Sequence, residues 1–342
     1  MSVLRTPGGL SLRWRRRSAA VVTGCASATL LLALAAVGGG GDHPMSPADV
    51  LRTLTGGGSP AEEFIVGELR LPRLVTALAV GAALALAGAV VQSLLRNPLG
   101  SPDVLGLTQG AATGALVVVV LGGGTLTLAG AATAGGLAAG LLIAAVTGRR
   151  GLAGARVVLV GIGVAAILTG VNGWLLTRAQ LMDAARAVLW LTGSLDGRGW
   201  AQALPLLGVL AASTPLLFGY GRALSMTELG DEAAIAAGVP VRRARRALLG
   251  AAVLLASVAA AAAGPVSFVA LTAPHLARRL TRAPGPNLLA SALVGAVLLV
   301  AADLVAQRAV EGRQLPVGVV TGVLGGAYLV WLLAAQRRAG RS

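Results

Sequence analysis

Few residues in this 342-residue chain can carry chemistry, and their types already exclude several activities. There are two histidines, His43 and His275, one cysteine, Cys25, and no lysine, because all 28 basic residues are arginine. Metal capture needs several His, Cys or carboxylate ligands close together, so no metal site is expected. His275 follows Pro274 and reads as a packing or gating residue. ATP hydrolysis by the usual route needs a lysine behind a glycine-rich loop, so Gly38 to Gly41 and Gly56 to Gly58 read as linkers. A single cysteine excludes an intrachain disulfide. Ser194 and Ser267 lie in no recognisable nucleophile turn, which leaves an intramembrane protease with His275 as base unsupported.

What remains is charge at particular places. Arg70 and Arg73, three apart on one expected helical face, offer two guanidinium forks that can grip carboxylates of a docking protein. Arg308 and Arg313, before the last apolar run, offer a second grip. Residues 222–246 gather Glu228, Asp231 and Glu232 with Arg242, Arg243, Arg245 and Arg246 around Gly238 and Pro240, the pattern of a short helix, a turn and a second helix. Asp303 is the one acid deep in an apolar run, where it needs a partner and is expected to find it by hydrogen bonding within the bundle.

The elements that position these groups are membrane helices. The chain is 56% hydrophobic and 12% charged with 49 glycines, too apolar for a soluble domain of this size. A spanning helix needs about 20 apolar residues. Ten candidates run over 18–40, 72–95, 104–121, 126–147, 157–177, 201–219, 247–264, 266–280, 287–306 and 316–335. The eighth is the shortest and holds Pro274 and His275, so on hydropathy alone it also fits a re-entrant segment. Ten spans put both termini on one side, and that side then carries 20 of the 28 arginines. The formal charge of +15 is therefore topological, placing the termini in the cytoplasm by the positive-inside rule and arguing against nucleic-acid binding. The basic segment 1–17 and the tail 337–342 flank a membrane domain of 18–336. A cleaved signal peptide is rejected, because the first apolar run is too long and its removal worsens the arginine tally. Cys25 in Val22-Thr23-Gly24-Cys25 stands too near the basic run for a lipoprotein site.

Small residues recur four apart, as in Gly106, Gly110 and Gly114, and let helices approach closely. Proline inside an apolar region frees backbone groups that lipid cannot satisfy, so such stretches must face protein or water. Two of them, Arg96 to Gly106 and Gly264 to His275, occupy matching places in two four-helix groups, about 70–177 and 247–335, that begin on opposite faces. The fold expected is an all-α membrane protein with two inverted repeats and a pathway between broken helices.

At these residues the chain strongly resembles the iron-siderophore and cobalamin family of ABC importer permeases, over about 65–335. The resemblance rests on Arg70-Leu71-Pro72-Arg73, Gly88 and Gln92, Arg96-Asn97-Pro98-Leu99-Gly100-Ser101-Pro102-Asp103-Val104-Leu105-Gly106 and Leu229-Gly230 through Ala237-Gly238-Val239-Pro240. It extends to Gly264-Pro265-Val266-Ser267-Phe268, Ala273-Pro274-His275, Ala302-Asp303 and Pro316-Val317-Gly318. Trp190-Leu191-Thr192-Gly193-Ser194-Leu195 and Gln314 to Gly318 look most like the second permease subunit of ferric-enterobactin-type importers. The resemblance implies a type II importer fold and a ferric-siderophore cargo. It implies partners as well: a second permease subunit (a heterodimer, with a homodimer as the alternative), a pair of ATPase subunits holding ATP and Mg, and a periplasmic or lipoprotein substrate-binding protein. No cofactor is expected on this chain, and the membrane is the cytoplasmic one. By the same resemblance, Arg70, Arg73, Arg308 and Arg313 dock the binding protein, and Gln92, Asn97, Pro98, Leu99, Pro102, Gly106, Pro274 and His275 belong to the pathway or its gate. Glu228, Leu229, Gly230, Glu232, Ala237, Gly238, Val239 and Pro240 couple to the ATPase through the loop 220–246. The chain departs from the pattern at Gln314, where many relatives have glutamate, at Ala327, where proline is frequent, and at Gln307-Arg308. A proton-coupled secondary transporter of a small organic solute shares the span count, but it should show paired or chained titratable groups at mid-membrane, and Asp303 alone qualifies.

Overall fold

The computed structural model describes residues 2–5, 11–14, 16–39, 45–148, 155–310 and 313–339. His43, Arg15, Arg149, Arg150 and Arg341 lie outside them. The segment 1–17 includes an antiparallel pair, β1 (Ser2–Arg5) and β2 (Ser11–Trp14). The helices then run α1 (Arg16–Gly38), α2 (Pro47–Leu54), α3 (Pro60–Phe64), α4 (Leu71–Leu95), α5 (Leu107–Val120), α6 (Thr125–Thr147), α7 (Ala155–Arg178), α8 (Leu181–Leu191) and α9 (Trp200–Gly219). They continue as α10 (Gly221–Glu228), α11 (Asp231–Ala236), α12 (Val241–Ala263), α13 (Val269–Thr281), α14 (Leu288–Arg308) and α15 (Val317–Ala339).

Each of the ten expected spans overlaps one of α1, α4, α5, α6, α7, α9, α12, α13, α14 and α15. Among the described residues, seven helices are long and apolar enough to cross a membrane unaided. The third span, expected over 104–121, contracts to 14 residues in α5, because Asn97 to Gly106 folds as a separate turn-rich cap. At about 21 Å, α5 is shorter than a bilayer core of about 30 Å. The eighth, α13, has 13 residues, so the two short helices stand at equivalent places in the two groups. Each follows a residue in left-handed backbone, Gly106 (φ 79°) before α5 and Phe268 (φ 67°) before α13.

The packing follows the inverted arrangement. Helix α4 lies against α12, α13 and α14, and α12 lies against α4, α5 and α6, the exchange that a twofold within the membrane plane generates. Almost all of α4 is buried, while α1 covers α14 and leaves most of its length to lipid. Backbones touch where side chains vanish: a Cβ on Gly88 of α4 would collide with the Ala270 carbonyl of α13. Small residues let apolar helices associate in a medium that gives no hydrophobic drive for it. Gly88→Val is therefore expected to abolish recovery of monodisperse protein from detergent-extracted membranes. Gly163→Val, where nothing lies within 4 Å of the new Cβ, should leave the size-exclusion profile unchanged.

Candidate functional site

The face opposite the arginine-rich one carries a polar cluster around a cavity of about 320 Å³. Ahead of α4 the backbone makes a π-helical segment, Ile65–Arg70, and Arg70 and Arg73 both line the cavity. The two forks share this side of the molecule but take different partners. Arg70 donates to the Val37 carbonyl at 2.6 Å, at the C-terminal end of α1, where a cation meets the negative end of the helix dipole. Arg308 reaches the same helix end, donating to the carbonyls of Ala35 and Gly39 at 3.4 Å each. The Trp200 indole donates to the Gly67 carbonyl of the π turn at 3.0 Å and ties α9 to it.

Arg73 instead forks onto Asp303, with Nε to Oδ2 at 3.0 Å and Nη2 to Oδ1 at 2.9 Å. Its remaining nitrogen donates to Gln314 Oε1 at 2.7 Å and lies 3.6 Å from Asp196. The Asp303 side chain is 5% exposed and also accepts from Gln307 at 2.7 Å. The intramembrane acid thus finds its cation 230 residues away on α4. Nearby, Arg198 donates to the Ser194 carbonyl at 3.2 Å, and burial pushes its pKa down, with Asp196 partly opposing. Arg313 is exposed beside this rim.

The two interruptions meet inside the bundle. Helix α4 stops at Arg96 (φ 50°), and Asn97 Oδ1 accepts the Leu99 N–H at 2.9 Å. The tip Pro98-Leu99 is exposed, whereas Pro102 and Gly106 are buried. The Asp103 side chain lies close to Thr108 and to the backbone N–H of Phe268, which brings one broken segment up to the other. The freed end of α12 is answered by the segment after α8: the Ser194 N–H donates to the Ala263 carbonyl at 2.8 Å, and the Gly318 N–H donates to Gly193 O at 3.0 Å. Trp190 to Leu195 and Gln314 to Gly318, separate as motifs, thus form one joint.

Gln92 is buried, its amide donating to Leu271 O at 3.0 Å and accepting from Arg278, so it stitches α4 to α13. Pro274 is buried as well. His275 Nδ1 lies 2.5 Å from the Tyr328 hydroxyl, with the rings edge to face, and Arg279 sits over the Trp331 ring at 4.9 Å. Among the described residues no three His, Cys, Asp or Glu side chains gather as a metal site.

On the arginine-rich face, α10, α11 and the start of α12 form a compact unit. Helix α11 ends in a Schellman motif, with the Gly238 N–H on Ile235 O at 2.9 Å and the Val239 N–H on Ala234 O at 3.0 Å. That motif needs the left-handed backbone of Gly238 (φ 78°). Asp231 is the hub, accepting from Arg96 at 2.7 Å and from Arg245 of α12 at 2.9 Å. Glu228 accepts from Ser93 of α4 at 2.6 Å, so it faces inward. Exposed instead are Leu229 (74%) and Ile235 (63%), along with Glu232, Ala237, Gly238 and Pro240, while Gly230 and Val239 are half-buried. Ser93 was not singled out from sequence, and Arg96 and Asp231 were named only within separate motifs, since these contacts cross some 135 residues.

The profile of the FecCD transport family matches residues 17–335. The ferric enterobactin transport system permease protein FepG of Escherichia coli (strain K12) is 44% identical over 298 residues, covering 86% of this chain and 89% of that protein. The achromobactin transport system permease protein CbrC of Dickeya dadantii (strain 3937) is 38% identical, covering 86% and 85%. The vitamin B12 import system permease protein BtuC of Escherichia coli O9:H4 (strain HS) is 34% identical, covering 92% and 95%. A metal-chelate type ABC transporter solved in an inward-facing conformation shares the fold, with a TM-score of 0.79 at 24% identity over 93% of this chain and 99% of that one.

Removing one partner of a buried ion pair strands the other charge. Arg73→Leu should therefore cost about 3 kcal/mol, and Arg73→Leu with Asp303→Leu should recover most of that, read as melting temperature in detergent. A double variant as unstable as the single would show that the pair is not the stabilising unit.

Proposed function

Because the chain belongs to the FecCD transport family, a family of ABC importer permeases, we propose that it forms half of the pathway by which a ferric siderophore crosses the cytoplasmic membrane. The cargo reading is supported by the 44% identity to the ferric enterobactin permease. In this reading the second half is another permease subunit of the same family. A periplasmic or lipoprotein binding protein docks on the rim that carries Arg73, Asp196 and Arg313. ATP and Mg are held by a separate ATPase pair on the arginine-rich face, and both termini are cytoplasmic. Residues 70–177 and 247–335 act as the inverted halves, with 220–246 as the coupling loop between them.

One observation carries the reading. Leu229 and Ile235 expose apolar side chains on short helices that charge pairs clamp to α4 and α12. Apolar anchors ringed by charge on a rigid base suit a protein partner. A push on α10 and α11 reaches the two central helices through Asp231 and Glu228. Asp303, the acid a proton-coupled carrier would use, is held by Arg73 and Gln307, which removes the feature favouring that rival.

Proline cannot adopt the backbone of Gly238, and a charge at Ile235 spoils an apolar anchor. Cells carrying Gly238→Pro or Ile235→Asp, with normal membrane abundance of the protein, should take up ferric siderophore at least about tenfold more slowly. Uptake at the unaltered rate in both would refute the coupling role.

A further inference from the structure

Pro274 sits inside α13 and has no N–H, so the Ala270 carbonyl loses its partner within the helix and the turn around it is loosened. The face of α4 that meets this turn carries Gly88 and Gln92, four residues apart. At Gly88 the bare backbone of α4 lies against the Ala270 carbonyl, and Gln92 Nε2 donates to the next carbonyl, that of Leu271, at 3.0 Å. The oxygen of the same amide accepts from Arg278 Nη2. Leu271 and Arg278 are seven residues apart, so they share a face of α13 on either side of Pro274. One buried amide therefore splints the helix across its proline.

The splint continues toward the arginine-rich face. The Glu228 carboxylate of α10 lies close to Arg278, and the Ser93 hydroxyl of α4 donates to it at 2.6 Å. Gln92 and Ser93 are buried, while Glu228 and Arg278 are half-buried. Glu228, Ser93, Gln92 and Arg278 thus form one polar run from the charged segment, along the end of α4, to the broken helix. We propose that Gln92 and Arg278 are positioning residues through which the coupling segment sets α13: a displacement of Glu228 is passed by them to both sides of Pro274. This deepens the importer reading and rests on it. A helix bends most readily at such a proline, so α13 is the element on which a small shift at α10 has a large effect.

Hydrogen exchange of the purified full chain in lipid nanodiscs, read on peptides covering Val269–Thr281, tests the link without any partner. Gln92→Leu and Arg278→Gln should each speed exchange there about tenfold, the loss of a hydrogen bond that involves a charge. Glu228→Gln, made on α10, should speed it about fivefold. Arg279→Gln, whose guanidinium lies over Trp331 of α15, should leave it unchanged. In the complex assembled with its ATPase pair, second permease subunit and binding protein, Arg278→Gln should lower the ferric siderophore imported per ATP hydrolysed about tenfold. The ATPase rate itself should hold, and Arg278→Lys should restore most of the loss. Ser93→Ala, which removes only a hydroxyl, should act in the same direction and add nothing to Arg278→Gln, and it keeps the test decisive if the arginine variant does not fold. Exchange at α13 indifferent to Glu228→Gln, uptake and ATP hydrolysis falling in proportion, or additive losses in the double variant would each overturn the proposal. An intact exchange response in a chain that supports no uptake would count against the importer reading alone.

Discussion

Lipid offers no hydrogen bonds, so every backbone group released where a membrane helix breaks must be answered by the protein itself. That constraint organises this molecule. Helices α5 and α13 are too short to cross alone, and the segments before them come close together at Asp103 and Phe268. The end of α12 is closed by Ser194, and the start of α15 by Gly193. Glycine and alanine bring α4 and α13 into backbone contact, so the broken helices are held by neighbours as well as by their own sequence.

Charge is then distributed with different purposes at the two ends. On one face, Arg70 and Arg308 serve the carbonyls at the end of α1, and Arg73 neutralises Asp303 between α4 and α14. On the other, Asp231 joins the end of α4 to α12 through two arginines, with the short helices α10 and α11 lying between. A buried or half-buried ion pair adds little net stability but resists rearrangement, because breaking it leaves a charge uncompensated. Such pairs are suited to transmitting displacement, since the helices they join move together or lose the pair.

The helices of the ten expected spans were legible because long apolar runs report directly on the bilayer. The cap before α5 was partly hidden: Val104 and Leu105 look like the start of a span, while the turns at Asn97 and Asp103 place them in a folded segment. Arg70 and Arg73 looked like a matched pair, but they serve different partners, because each finds its acceptor on an element distant in sequence. Asp303 announced its need for a partner without showing that it would be a cation, because Arg73 lies 230 residues away on α4. The charged loop was visible as a composition, but not that Glu228 turns inward while Leu229 and Ile235 remain outside.

The central claim is that this chain has no driving force of its own and takes it from a partner engaged on the arginine-rich face. The most direct measurement is ferric-siderophore accumulation in vesicles holding the purified chain alone, with a proton gradient imposed. The account predicts no accumulation above empty vesicles, and accumulation only when the ATPase pair, the second permease subunit, the binding protein and ATP are supplied. Gradient-driven concentration of the chelate by the chain alone would contradict it.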